Sequence, residues 1–157
     1  TKLLRPKLAD QMSPASVSAR RRDHWDSRQQ AAALLRPKGF YQDFDEACFK
    51  AYIDYALTDD PARGGVELTI SKDDEVEVFR TNPSLWWLPQ PKLQVPAHLV
   101  VGEQSLFHKR RFPRLVQKKF GIPFTVTPGG HMFPLEHPVE VVALIKQLIQ
   151  VQTQGSN

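Results

Sequence analysis

The last third of the chain alternates short apolar segments with amphipathic helical patterns, and this order restricts the possible folds more than any other feature. Residues 97–101 (AHLVV) suit a strand buried on both faces, and residues 124–127 suit a second strand. Apolar residues recur at helical spacing over 106–120, where Pro113 would occupy the first regular turn, and over 138–151. Two strands joined through a helix are expected to be parallel, with a right-handed crossover. The C-terminal region is therefore predicted to be part of an α/β sheet.

The region before residue 94 has mainly helical patterns. Serine or aspartate precedes most of them, which is typical of helix N-caps. The predicted helices cover 16–25, 27–36, the segment from Asp43 or Asp45 to residue 57, and the segment that follows Ser71. Alternating apolar and polar residues over 66–70 predict one short strand or extended segment. Prolines are frequent between residues 82 and 97, so that stretch is predicted to be irregular.

Composition excludes several classes of protein. Cys48 is the only cysteine, which excludes an intrachain disulfide framework and a cysteine-based metal site, and a reducing compartment, the cytoplasm, is expected. The sequence has no apolar run long enough to span a membrane and no signal-peptide pattern. The net charge is +4 and basic clusters occur at 20–22 and 109–111, yet no recognised nucleic-acid motif or aromatic stacking platform accompanies them. We therefore expect neither a nucleic acid nor a membrane as a partner.

Residues 94–152 carry a combination of motifs that resembles the C-terminal end of the α/β-hydrolase superfamily. VPAHLVVGEQS contains a strand that ends in Gly-x-x-Ser, and PFTVTPGGHMFPLEHP contains a Gly-Gly-His loop and a Pro-Leu-Glu-x-Pro start of the last helix. The helical, Trp-rich region before these motifs is similar to the cap that such enzymes insert between strands six and seven, and GGVELTISKDDEVEVFR resembles its final segment. The resemblance implies an α/β fold in which 94–157 form two parallel strands with flanking helices, preceded by a mostly helical cap over 1–93.

The chain lacks two motifs on which catalysis in this superfamily depends. Neither a Gly-x-Ser-x-Gly nucleophile elbow nor an HGGG-type oxyanion loop occurs in the 157 residues, and the first residue is Thr1 rather than Met. We therefore expect the chain to be the C-terminal half of a hydrolase, with the N-terminal half of the same hydrolase as a partner segment or chain. Without a nucleophile, the isolated chain is expected to be inactive.

His131 is the candidate catalytic residue. It resembles the triad histidine of the superfamily, which lies on the loop after the last strand and takes the proton of the nucleophile. The two glycines before it allow the loop to turn tightly. His137, at the start of the last helix, is interpreted as structural. The remaining histidines have no metal-ligand spacing, and neither a metal nor a cofactor is expected.

The triad acid has two possible origins. Many relatives carry Asp at the position that Ser105 occupies here, and a hydroxyl group cannot serve as a carboxylate. The acid then either follows strand six, upstream of Thr1, or is Glu103 turned inward, and we favour the upstream acid. Glu136 is interpreted as lying at the N-terminus of the last helix, where it would interact with the helix dipole and a nearby basic group.

Aromatic residues are the candidates for substrate contacts. Trp86 and Trp87, next to prolines, are the first choice, and Trp25 and Phe133 are further candidates. The expected activity is hydrolysis of a small-molecule carboxylic ester by a Ser-His-acid triad to which this chain supplies the histidine. Two alternatives stay open, namely an Asp nucleophile, as in haloalkane dehalogenases and epoxide hydrolases, and a non-catalytic fragment or interaction module.

Overall fold

The computed structural model describes residues 15–80 and 93–154, which pack as two compact units. The first unit contains residues 15–37 and 50–80, and the second contains residues 38–49 and 93–154. Residues 38–49 therefore belong to the unit that contains the C-terminal strands, whereas the sequence-based division assigned them to the region before residue 94. The functional division into cap and core stays a prediction.

The first unit combines short helices with a small sheet. Its elements in chain order are α1 (Ala15–Ser18), β1 (His24–Trp25), α2 (Arg28–Leu35), the end of α3 (Glu46–Tyr55), β2 (Leu57–Asp59), β3 (Val66–Leu68) and α4 (Lys72–Arg80). The central strand β3 pairs antiparallel with β1 on one side and with β2 on the other. The strand predicted over 66–70 is confirmed as β3, whereas β1 and β2, which complete a three-stranded sheet, were not predicted.

The predicted helix over 16–25 is wrong in its second half. Helix α1 ends at Ser18, and His24 and Trp25 instead form β1, where His24 pairs with Glu67. The backbone N–H of Leu68 also donates to the carbonyl of Asp23, 3.0 Å away, which extends the contact between the two segments. The reason is tertiary, because the pairing partner lies more than forty residues away along the chain and overrides the local helical pattern.

Three helices begin where the sequence predicts. The Ser27 and Ser71 hydroxyl groups and the Asp45 carboxylate each accept a hydrogen bond from a backbone N–H of the first turn of α2, α4 and α3 respectively. The donors are the N–H groups of Gln30, Asp74 and Cys48. These caps satisfy backbone donors that the helix itself leaves without a partner, so the serine and aspartate signals correctly located the helix starts.

The core of the first unit is apolar and gathers side chains from both helices and sheet. Its buried members are Ala15, Trp25, Ala31, Leu35, Ile53, Leu57, Val66, Leu68 and Val76. At its edge, the loop between β2 and β3 is held by Asp60, whose carboxylate accepts from the backbone N–H and the guanidinium of Arg63. These bonds hold the pKa of Asp60 below its ordinary value, because they favour the charged form.

The second unit contains the predicted parallel strands. Its elements are β4 (Leu99–Gly102), α5 (Leu106–Lys109), α6 (Phe112–Phe120), β5 (Phe124–Thr127), α7 (Phe133–Glu136) and α8 (Pro138–Gln154). Strands β4 and β5 are parallel, with Leu99 opposite Phe124 and Gly102 opposite Thr127. The expectation of two adjacent parallel strands is confirmed.

The helix predicted over 106–120 is divided into α5 and α6. The break falls at Arg111, whose φ of 59° lies in the left-handed region. Pro113 follows in the first turn of α6, where its missing N–H costs nothing. In a continuous helix, Pro113 could not donate to the carbonyl of Lys109 and its ring would clash there, so the chain restarts the helix instead.

Part of the apolar surface of the second unit is exposed. The exposed large side chains in this unit include Phe107, Phe112, Leu115, Val126, Val142, Ile145 and Ile149. Helix α8 buries Val141 but leaves the predicted stripe of Val142, Ile145 and Ile149 at least 46% exposed. Within the described ranges, β4 pairs with β5 alone, so its other edge carries no strand.

An added methyl group at Gly65 tests the fit between β1 and the loop that precedes β3. A Cβ at Gly65 would lie 2.2 Å from the carbonyl oxygen of Trp25, and its φ is +80°. We expect Gly65→Ala to lower the free energy of unfolding by about 2–4 kcal/mol. Urea unfolding followed by circular dichroism measures this change.

The matched control is Gly64→Ala. Gly64 has a similar φ of +74°, but a Cβ there would meet nothing within 4 Å. Only the backbone strain remains, so the expected loss is roughly 1 kcal/mol. Equal losses for the two variants would contradict the packing that the structure assigns to Gly65.

Candidate active site

The carboxyl ends of β4 and β5 bring two loops together. Because the strands are parallel, both loops leave the sheet at the same edge. The backbone N–H of Glu103 donates to Thr127 (2.8 Å), and that of Gln104 donates to Gly129 (3.0 Å). These bonds extend the strand pairing into the loops, so that Ser105 on one loop and His131 on the other become neighbours.

Gly102 allows the two loops to approach this closely. A Cβ at Gly102 would lie 1.9 Å from the carbonyl oxygen of Gly130 and 2.8 Å from that of Gly129. No side chain fits in this space, which gives a physical reason for glycine at the end of β4. Gly129 itself has a φ of 105°, a conformation that a residue with a Cβ rarely adopts.

Glu136 holds the loop that carries His131. Its Oε2 atom accepts a hydrogen bond of 2.6 Å from the backbone N–H of Gly130. The sequence predicted an interaction of Glu136 with a basic group, but its bond in the described part of the chain is to this backbone donor. A charged acceptor makes a strong hydrogen bond, so α7 fixes the loop one residue before the imidazole.

His131 lies where the sequence predicts, on the loop after β5. Its side chain is exposed, and its Nδ1 atom is 3.4 Å from the hydroxyl oxygen of Ser105. The imidazole also lies against the ring of Phe107, with 5.2 Å between the centroids. Throughout residues 15–80 and 93–154, no carboxylate forms a hydrogen bond or an ion pair with His131.

Ser105 is the site residue that sequence reasoning missed. It is 2% exposed, and its Oγ atom accepts a hydrogen bond of 3.3 Å from the backbone N–H of Phe107 at the start of α5. In the sequence, Ser105 stands only as a serine at the position of an expected acid. Its place before a helical pattern is an N-cap signal, but only the strand pairing brings it to His131.

Glu103 and His137 form no hydrogen bond with His131 in the described residues. Glu103 is exposed, and its side chain forms no hydrogen bond or ion pair with His131 within the described ranges. His137 is also exposed and contributes its backbone N–H to the carbonyl of Phe133. The inward-turned Glu103 that was considered as the acid therefore has no counterpart in this geometry.

The predicted substrate-contact residues have different environments. Phe133 begins α7, two residues after His131, and is half-buried. Trp25 is 1% exposed within the first unit, so its ring offers almost no surface to a ligand. Trp86 and Trp87 lie outside the described residues. Substrate contact stays a prediction for all four.

Two further expectations concern metals and membranes. The described residues contain no group of three His, Cys, Asp or Glu side chains that could hold a metal ion. His24 and His98 make ordinary polar contacts, as their Nε2 atoms lie 2.7 Å from the carbonyl of Gly64 and 2.8 Å from the hydroxyl of Thr125. None of the described helices has both the length and the apolar character needed to cross a bilayer.

Comparisons with known proteins give one informative result. No family model and no curated protein matches the chain. A solved structure, that of E-2-(acetamidomethylene)succinate hydrolase, is similar with a TM-score of 0.68 and 18% sequence identity. The chain therefore has the fold of part of an α/β-hydrolase. The likeness covers 96% of this chain but only 55% of that hydrolase, so the chain spans about half the length of the enzyme it resembles.

A methyl group on Gly102 should displace the loop that carries His131. Because its Cβ would collide with the carbonyl of Gly130, we expect Gly102→Ala to lower the free energy of unfolding by about 2 kcal/mol or more. We also expect the NMR signals of the His131 imidazole to shift.

Gly39→Ala is the control for this variant. Gly39 has open space around it and no positive φ. The free energy of unfolding should therefore stay within about 0.5 kcal/mol of that of the unmodified chain, and the NMR signals of His131 should not shift. An unchanged His131 spectrum in Gly102→Ala would contradict the close approach of the two loops.

Proposed function

We propose that this chain is the histidine-bearing half of an α/β-hydrolase that cleaves carboxylic esters. The observation that carries the proposal is the place of His131, exposed on the loop that follows the last parallel strand and held by Gly102 and Glu136. The fold shared with a solved hydrolase supports the same assignment. Fold likeness alone does not carry an activity, so the argument rests on the chemistry available at His131.

The proposed reaction uses His131 first as a base and then as an acid. The imidazole takes the proton of a serine hydroxyl while the serine oxygen attacks the ester carbonyl and forms a tetrahedral intermediate. The intermediate collapses, the bond to the alkoxy oxygen breaks, and the imidazolium gives its proton to the departing alcohol. Water then cleaves the acyl-serine by the same sequence of steps, which releases the acid and restores the serine.

The serine must come from a part of the enzyme that the described residues do not contain. The free edge of β4 and the exposed apolar side chains of α5, α6 and α8 are the surfaces that such a part would cover. We assign this role to the N-terminal half of the hydrolase, present either as a further segment or as a second chain. Its strands would extend the sheet from β4.

The solved relative is a hydrolase of E-2-(acetamidomethylene)succinate. For the present chain we propose an ester of a small or medium acyl group, because the aromatic side chain of Phe133 lies close to His131 in sequence and is half-buried. Phe133 would form one apolar wall of the acyl site. Trp86 and Trp87 remain candidates for the opposite wall.

Removal of the imidazole tests this proposal. In the complete enzyme, we expect His131→Ala to lower kcat for ester hydrolysis by about 10³–10⁶-fold with little change in substrate binding. The free energy of unfolding should fall by only about 1–2 kcal/mol, because the variant loses the hydrogen bond to Ser105 and the contact with Phe107 but no apolar core side chain. Steady-state hydrolysis of a chromogenic ester measures the rate.

The control is His137→Ala, which alters an exposed histidine six residues further along and should leave kcat within a few-fold. The isolated 157-residue chain should show no hydrolysis, since the one hydroxyl that faces His131 in the described residues, that of Ser105, is buried and lies against Nδ1 rather than opposite Nε2. Full activity of the His131 variant, or ester hydrolysis by the isolated chain, would overturn the proposal.

A further inference from the structure

The Ser105 hydroxyl has a hydrogen that needs an acceptor. A serine hydroxyl can donate one hydrogen bond and accept two. Here the Oγ atom accepts the N–H of Phe107 at 3.3 Å, which leaves the hydroxyl hydrogen to be placed. Because Ser105 is only 2% exposed, water is not a ready partner for that hydrogen.

The remaining partner of this hydroxyl is the Nδ1 atom of His131. It lies 3.4 Å away, and within the described residues the Ser105 side chain has no further hydrogen-bond partner. If the hydroxyl donates to Nδ1, every polar atom of Ser105 is satisfied. If Nδ1 carries the proton and donates to Oγ, the buried hydroxyl hydrogen has no acceptor, and this arrangement is disfavoured roughly tenfold or more.

We propose that Ser105 is a positioning residue that sets the tautomer of His131. In the chain as described, the Ser105 hydroxyl donates to Nδ1, so the neutral imidazole carries its proton on Nε2. The inference rests on the proposed function in one respect, namely that His131 is the base of a hydrolase. In this tautomer Nε2 cannot take a proton from a nucleophile, and the base is inactive.

A carboxylate from outside the described residues would reverse the tautomer. A carboxylate only accepts hydrogen bonds, so it can receive both the Ser105 hydroxyl and an Nδ1–H of His131. Nδ1 then takes a proton from solvent and Nε2 releases its proton to solvent. The lone pair of Nε2 becomes free to act as base. We assign this carboxylate to the half of the enzyme that carries the nucleophile, so that joining the halves shifts His131 to the tautomer that can act as base.

The tautomer can be measured directly in this chain. Long-range ¹H–¹⁵N correlation NMR distinguishes Nε2–H from Nδ1–H in a neutral imidazole, and a sample at about pH 8 holds ordinary histidines neutral. We expect His131 to be the Nε2–H form. Ser105→Asp should convert it to the Nδ1–H form, because the new carboxylate accepts from Nδ1 and cannot donate to it.

Two variants separate this role from helix capping. Ser105→Thr keeps a hydroxyl and should keep the Nε2–H form, whereas Ser105→Ala should lose the preference. Ser27→Ala removes a hydroxyl that caps α2 in the same way, with a 3.1 Å bond from the N–H of Gln30, and should leave the His131 tautomer unchanged. If Ser105→Ala fails to fold, the Thr and Asp variants decide the question.

The outcomes separate this inference from the proposed function. An Nδ1–H form in the unmodified chain, or an unchanged tautomer in Ser105→Asp, overturns the role of Ser105 whatever the enzyme hydrolyses. The NMR measurement needs no substrate, so ester hydrolysis by the complete enzyme tests the proposed function separately. The positioning role is supported if the unmodified chain and Ser105→Thr have the Nε2–H form and Ser105→Asp has the Nδ1–H form. This holds even if the complete enzyme does not hydrolyse esters.

Discussion

The contact between the end of β4 and the carbonyl of Gly130 controls the geometry on which the candidate site depends. Only a residue without a side chain at Gly102 admits that carbonyl, because an added Cβ would lie 1.9 Å from it. This contact, together with the bond from the Gly130 N–H to Glu136, holds the two loops in one register. Ser105 and His131 meet because the backbone around them is fixed, and neither side chain needs to bring the other into place.

In the described residues, the loop that carries His131 follows the second strand of a two-stranded parallel sheet. Two parallel strands with exposed apolar helix faces bury little of the surface that an α/β core normally covers. The similar hydrolase is nearly twice as long as the part that matches. These observations agree with our proposal that a second half of the enzyme supplies further strands, a nucleophile and a carboxylate. The buried Ser105 hydroxyl, which we propose donates to His131, agrees with the same proposal.

Sequence patterns predicted the local features and missed those that depend on contacts between distant residues. The caps at Ser27 and Ser71 and the parallel strands were predictable, because each has a signal within a few residues. Trp25 was wrongly assigned to a helix. The strand that it forms was missed because its pairing partner, Val66, is distant in the chain. The same difference applies to the candidate site. The Gly-Gly-His motif is local and located His131, but the hydrogen bond to Ser105 depends on the register between β4 and β5, which no local pattern gives.

Covalent labelling of the complete enzyme with a fluorophosphonate tests the central claim most directly. This probe reacts with a serine that a histidine activates, and mass spectrometry locates the adduct. The account predicts an adduct on a serine outside these 157 residues and loss of labelling in His131→Ala. An adduct within this chain, labelling that persists without His131, or an active enzyme that the probe does not label would contradict it.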